Sequence, residues 1–298
     1  MSIYTAAAAV AAAATGLGMY LDGKYSISED VAQIRGQLST QKYAQHLYKI
    51  HGEDDWSFYH VLHCTYGLND DLEAFVFEGR SWTYRRLREE VGRCAEALKG
   101  LGVRNRMVVG LFINNSPEFM LLWWALYKLG AIPAPINTSI TGAHIKHCLK
   151  VSDAEMLVTS FELSSIIGQT FDLNNEGRDF EGDPSCPRLG HIVLYDHQTY
   201  PPTGPWLSRG EHLILLDHSQ LPPATPQMGD FPKSSRPKIL HTEASQYLFT
   251  SGTTGLPKAL IWPAGYSLSG SCPTRYPGMQ KKRRRFYICL PMFHGTAT

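Results

Sequence analysis

The spacing of apolar positions changes repeatedly along this chain, and each change predicts an element. Ala74–Phe77 and Ser81–Tyr84 flank a Glu78-Gly79-Arg80 turn and read as a β-hairpin. Leu87, Val91, Ala95, Leu98 and Leu101 then recur at helical spacing, and Gly102 ends that helix. Met107–Ile113 is a continuous apolar strand. Ser116 caps the next helix, with Pro117 in its first turn, and the helix runs through Phe119-Met120-Leu121-Leu122-Trp123-Trp124 to Gly130. Being apolar nearly all round, it is expected to be buried. Strands over Ile132–Pro135 and Glu155–Thr159, with a helix from Thr141 to Val151 between them, complete a β-α-β-α series. That alternation predicts an α/β fold with a mostly parallel sheet flanked by helices.

The pattern also divides the chain. Residues 25–70 are rich in aromatics and histidine, with helical stretches, and residues 71–167 form a first α/β subdomain. Residues 168–238 carry more Pro, Gly, Asp and Ser, broken by short strands at His191–Tyr195 and His212–Leu216, and read as an elaborated connection. Residues 239–298 open a second α/β subdomain, with Arg285–Leu290 as one of its strands. Residues 1–24 are set apart by composition: no charge occurs from Ile3 to Leu21, and Ala6–Ala14 is alanine except for Val10. A helix of that length reaches ~28 Å, close to the ~30 Å hydrocarbon core of a bilayer. A membrane-anchor helix is the favoured reading, with the α/β part in the cytosol. A helix-packing or peripheral segment and a frayed tail are the alternatives.

Composition narrows the classes. With 298 residues, 43% hydrophobic and 18% charged, the chain is expected to fold around one large core or two ordinary ones. A net charge of +1 predicts no nucleic-acid partner. Lys281-Lys282-Arg283-Arg284-Arg285 holds five of the positive charges and reads as a solvated turn first and an anionic-lipid contact second. The six cysteines include no C-x-x-C pair, which argues against a zinc ribbon or a thioredoxin-like site. His144, His147 and Cys148 share one helix face at a spacing that metal sites use, but no matching ligands stand elsewhere, so ordinary packing is the expectation.

The most specific stretch is Tyr247-Leu-Phe-Thr-Ser-Gly-Thr-Thr-Gly-Leu-Pro-Lys258, a β-prone run that breaks into hydroxyls and glycines closed by a lysine. Gly252 and Gly255 permit backbone angles at which successive N–H groups turn inward around an anion. Thr250, Ser251, Thr253 and Thr254 add hydroxyl donors, and Lys258 adds a charge. The chemistry implied is grip on a polyphosphate. The Walker A pattern fails here, because Lys258 follows Pro257 and Ala259 stands where the metal-binding hydroxyl belongs. Ala259-Leu260-Ile261-Trp262 reads as a strand, so the loop is expected to join two strands with no helix beneath the phosphate. An α/β-hydrolase nucleophile also fails, since Ser269 replaces the second glycine of G-x-S-x-G in the Gly265–Gly270 stretch.

This segment resembles the AMP-binding signature of the adenylate-forming superfamily. Further similar stretches are Ser81-Trp82-Thr83-Tyr84, Asn114-Asn115-Ser116-Pro117-Glu118-Phe119, Gly130–Asn137 and Leu290-Pro291-Met292-Phe293-His294-Gly295-Thr296-Ala297. The alanine-rich start leading into Tyr20–Tyr25 and the His147–Ser152 stretch most resemble the fungal fatty-acid-transport-protein type of very-long-chain acyl-CoA synthetase. The resemblance covers nearly the whole chain. It implies an AMP-forming ligase that uses ATP, Mg²⁺ and CoA, activates a long or very long chain fatty acid as an acyl-adenylate, and positions the acyl group with His294. It also implies an adenine-binding strand, a Mg²⁺-holding glutamate, a ribose-binding aspartate and a mobile C-terminal domain with a catalytic lysine. All of these fall beyond Thr298, so a C-terminally truncated member is expected, with a non-catalytic remnant or a membrane-tethered partner protein as the alternative.

Overall fold

A computed structural model describes residues 3–60, 63, 70–173, 179–196, 212–218, 221–250, 255–270, 287–288 and 290–293. The chain divides into two units, Met1–Ile50 with Ser269–Arg285, and His51–Leu268 with Phe286–Thr298.

The first unit contains α1 (Ile3–Tyr25) and nearly all of α2 (Ile27–His51). They are separated by Ser26, whose φ of 50° is incompatible with a continuous helix. The Asp22 carboxylate accepts hydrogen bonds from the Ser28 amide at 2.5 Å and its hydroxyl at 2.6 Å, satisfying a donor that the start of α2 leaves open. The helix expected at the N-terminus is therefore present. The expectation that it spans a membrane is not met among the described residues, where no helix is long and apolar enough to cross. Alanine contributes too little transfer energy, and Asp22 and Lys24 end the uncharged run.

In the second unit, β1 (Glu73–Phe77) and β2 (Arg80–Thr83) pair antiparallel, with Phe75 stacked on Trp82 at 4.7 Å. The turn is shorter than the sequence pattern suggests. Arg80 already pairs with Phe77, leaving Glu78 and Gly79, both at positive φ, as the two-residue loop that suits a twisted hairpin. Thr83 then caps α3 (Tyr84–Gly100) by accepting from the Arg86 amide at 3.2 Å, and Leu87, Val91, Ala95 and Leu98 are buried as their spacing predicts.

Five parallel strands follow: β3 (Val108–Phe112), β4 (Ile132–Pro135), β5 (Met156–Ser160), β6 (His191–Asp196) and β7 (Leu213–Asp217), in the order β4-β3-β5-β6-β7. Pro133 and Pro135 are tolerated because β4 is an edge strand of this sheet. Strand β3 is covered on both faces, and its alternate residues go to two different cores. Val109, Leu111 and Ile113 pack with α3 and with α4 (Pro117–Leu129), whereas Val108 and Phe112 pack with α5 (Ala143–Val151) and α6 (Ser164–Thr170). The two strands read from sequence within the connection, β6 and β7, extend this same sheet.

The segment after residue 238 behaves differently. Strands β8 (Ala244–Thr250) and β9 (Lys258–Pro263) form a separate antiparallel pair, followed by α7 (Ala264–Gly270). The strand expected over Arg285–Leu290 falls largely outside the described residues, and Tyr287 and Ile288 are not in a strand.

Candidate functional site

Reversal of strand order at β3 sends one crossover over each face of the sheet, which opens a crevice at the carboxyl ends of β3 and β5. A cavity of about 250 Å³ lies there. Its floor is Ile113, Ser160 and Tyr195, from the ends of β3, β5 and β6; its walls are Asn114–Glu118 entering α4 and the β1–β2 hairpin tip at Phe77, Glu78 and Arg80. Tyr195 is held through its hydroxyl, 2.6 Å from His218 Nδ1, and burial pushes its phenol well above the usual tyrosine range. It stays protonated and is a fixed part of the floor.

Ser116 caps α4 by accepting from the Phe119 amide at 3.2 Å, with Pro117 at the first turn and Gly130 at φ 72° closing the far end. This fixes the preceding residue, Asn115, whose amide grips a distant segment at two points. Its Nδ2 donates to the Leu290 carbonyl at 3.1 Å, and its Oδ1 accepts from the Met292 amide at 2.7 Å. The residues just before His294 are thereby held at the mouth of the crevice. His294 itself lies outside the described residues.

The second part of the candidate site is the β8–β9 connection. Thr250 pairs with Lys258 in register, and its hydroxyl donates to the Lys258 carbonyl at 3.4 Å, so the seven residues between them form a closed loop. Gly255 and Lys258 are exposed at its exit; Ser251, Gly252, Thr253 and Thr254 lie outside the described residues. Two contacts, one buried and one half-buried, steady the hairpin. The Tyr127 hydroxyl of α4 donates to Gln246 Oε1 at 2.7 Å, and His147 Nε2 of α5 lies 3.0 Å from the Pro257 carbonyl. His147 therefore supports the loop exit, while His144 is exposed and Cys148 is buried, with its thiol pushed up to about 12 by burial. Cys94 and Cys186 are likewise buried and free, with thiols too weakly acidic for nucleophilic work. Lys258 does not line the crevice at the sheet's carboxyl edge.

One charge feature escaped the pattern reading. No Asp or Glu follows Glu243, whereas Lys258, Arg275, Lys281, Lys282, Arg283, Arg284 and Arg285 do. Glu243 is itself engaged, by Arg106 Nη2 at 2.8 Å and by the Leu240 amide at 3.0 Å. The loop thus lies in a run of sequence without carboxylates, with Lys258 at its exit.

Residues 67–298 match the AMP-binding enzyme family, and the chain belongs to it. It is 26% identical over 290 residues to a very long-chain fatty acid transport protein of Cochliobolus heterostrophus, spanning 96% of this chain and 40% of that relative. It is 30% identical over 200 residues to a crotonobetaine/carnitine–CoA ligase of Salmonella enteritidis, spanning 65% of this chain and 34% of that protein. The chain thus spans well under half the length of these curated relatives. Two solved structures share the fold: the anthranilate CoA ligase AuaEII in complex with anthranoyl-AMP (TM-score 0.53, 23% identity, 70% of this chain and 35% of that one) and the Mycobacterium tuberculosis fatty acyl CoA synthetase (TM-score 0.51, 19% identity, 70% and 35%).

Asn115→Ala should free the segment before His294 while leaving the sheet intact. The two lost contacts are expected to cost about 1–3 kcal/mol together. The readout is hydrogen exchange at the Met292 amide, which should accelerate at least about fivefold, 1.4 kcal/mol being a factor of ten. Unchanged protection would mean that Asn115 does not hold the segment.

Proposed function

We propose that this chain forms the N-terminal part of an AMP-forming acyl-CoA ligase and grips the phosphates of ATP while a long or very long chain fatty acid is activated. A carboxylate oxygen of the acid attacks the α-phosphorus, the bond to the bridging oxygen breaks, and pyrophosphate leaves with that electron pair. The thiol of CoA then attacks the acyl carbon, releasing AMP and forming the thioester. Thr250, Ser251, Gly252, Thr253, Thr254 and Gly255 would hold the phosphates through hydroxyl and backbone N–H donors, and the Lys258 ammonium would balance charge as it moves toward the departing oxygen. His294 would position the acyl carboxylate.

The observation that carries this reading is the loop closed by Thr250 and Lys258 in the β8–β9 register, within a stretch free of carboxylates. Magnesium accompanying ATP would meet only hydroxyls and carbonyls in that stretch. These residues do not make a magnesium site by themselves.

Lys258→Ala should weaken pyrophosphate and ATP binding by about 1.5–3 kcal/mol, the worth of a charge-assisted contact, without changing thermal stability. Calorimetric titration is the check, and equal affinities for both proteins would refute the assignment. Acyl-adenylate formation, measured as ATP–pyrophosphate exchange with a long-chain acid in the presence of the C-terminal part of a relative, is the expected activity. Pyrophosphate binding that never becomes exchange in such a mixture would favour the non-catalytic partner protein instead.

The reading extends to a membrane surface. Leu17, Met19 and Tyr20 of α1 are 59%, 73% and 62% exposed, next to the uncharged run that begins at Ile3. Exposed apolar side chains on an uncharged helix are the feature that would meet a lipid surface. Deleting residues 1–21 should shift the protein from sedimenting with neutral liposomes to remaining in the supernatant. Undiminished sedimentation of the shortened protein would exclude α1 as the attachment.

A further inference from the structure

Away from the crevice and the loop, three metal-ligating side chains converge in the second unit. His51 ends α2, Asp55 lies in the turn that follows, and His60 lies in the helical turn after it; they are 5%, 8% and 8% exposed. One donor atom from each lies within 4.8 Å of the others. We propose that His51, Asp55 and His60 form a buried site for a divalent transition-metal ion of the zinc type, separate from the nucleotide chemistry.

Unmet hydrogen-bonding capacity supports the assignment. His51 Nδ1 and Asp55 Oδ1 are buried with no hydrogen-bond partner, a costly state for a polar atom withdrawn from water. The other carboxylate oxygen of Asp55 accepts from Arg236 Nη1 at 2.9 Å. That arrangement resembles the outer shell of a metal site, where a ligating carboxylate is oriented by a second hydrogen bond and its free oxygen faces the ion. Backbone contacts hold the turn itself: Trp56 N–H donates to the Ile239 carbonyl at 3.1 Å, and Ile239 N–H donates to the Asp54 carbonyl at 2.7 Å. Three ligands are therefore presented by a pinned turn and the helix ends beside it.

Ligand type selects the ion. Two imidazoles and one carboxylate suit Zn²⁺, Co²⁺, Ni²⁺ or Cu²⁺, whereas Ca²⁺ and Mg²⁺ require a shell of oxygens that these residues do not provide. Zn–N and Zn–O bonds of ~2.0–2.2 Å imply donors about 3.4 Å apart in a tetrahedron, so the three groups need only a small inward shift. Water would complete the coordination. The positive charge of Arg236 opposes a dication, so the affinity should fall below that of a closed four-ligand structural site. The bound ion would cross-link residues 51, 55 and 60, adding stability independent of ATP.

The test uses the full chain after chelator treatment and dialysis, titrated with Co²⁺ and followed by its visible absorption, with Zn²⁺ as competitor. One equivalent should give the intense bands of a four- or five-coordinate ion, Zn²⁺ should abolish them, and Zn²⁺ should raise the melting temperature. His51→Gln and His60→Gln should each weaken Co²⁺ binding about tenfold or more, while His144→Gln should leave it unchanged. Should a variant fail to fold, X-ray absorption on the zinc-loaded wild-type protein decides: two imidazoles per ion are expected. Absence of the bands in the wild-type protein, bands that survive both substitutions, or a first shell without two imidazoles would overturn the site.

Discussion

Burial of α4 is the constraint on which the rest of this structure depends. The helix presents Phe119, Leu121, Leu122, Trp123, Trp124, Ala125, Leu126 and Tyr127 to the core, and each large side chain withdrawn from water contributes roughly 1.5–3 kcal/mol. The aromatic groups also fix orientation, because Trp123, Trp124 and Tyr127 meet one another and Phe58 at ring separations between 5.1 and 6.4 Å. A helix apolar on nearly every side has one way to lie. Its N-terminal end is thereby aimed into the crevice at the switch point, bringing Asn115 to the segment before His294. Its C-terminal half meets β8, where Tyr127 reaches Gln246, and the stretch after α2, where the Tyr127 carbonyl accepts from the Ser57 hydroxyl at 3.1 Å. The two parts of the candidate site are thus referred to a single buried rod.

Much of this was legible in the sequence because the signals are local. The Ser116 cap, Pro117 and Gly130 bracket α4 within thirteen residues, and the spacing of Leu87, Val91, Ala95 and Leu98 picks out the buried face of α3. The strand–loop–strand reading of the phosphate-loop segment also follows from neighbours, since Ala259–Trp262 has the composition of a strand and pairs with Gln246–Phe249. Partnership across long separations left no such trace. The strands near 191 and 213 look like interruptions of a polar connection until β5 is there to pair with β6. The grip of Asn115 on Leu290 and Met292 is invisible to periodicity, although the similarity of the Asn114–Phe119 stretch to a known signature pointed at the right residues. His51, Asp55 and His60 lie in a stretch without a recognisable motif, and only the turn between helices brings them together. His144, His147 and Cys148 show the converse: they share a helix face at a spacing that metal sites use, yet ordinary packing is the expectation, and His147 meets the Pro257 carbonyl.

Charge distribution gives the site its direction. The described ion pairs lie upstream of the loop, with Arg106 taking up Glu243, the last acid in the chain. From Ala244 to Lys258 the chain carries no carboxylate, and Lys258 is the charged side chain that this stretch offers to an approaching anion. On the proposed reading, a loop that binds a departing pyrophosphate needs fixed dipoles and a cation more than it needs a base.

The central claim is that polyphosphate is gripped by the β8–β9 loop, and amide chemical shifts of the full chain during titration with pyrophosphate test it most directly. The account predicts that the largest changes map to residues 250–258. Changes concentrated elsewhere, with the amides of Thr250, Gly255 and Lys258 unmoved, would contradict it.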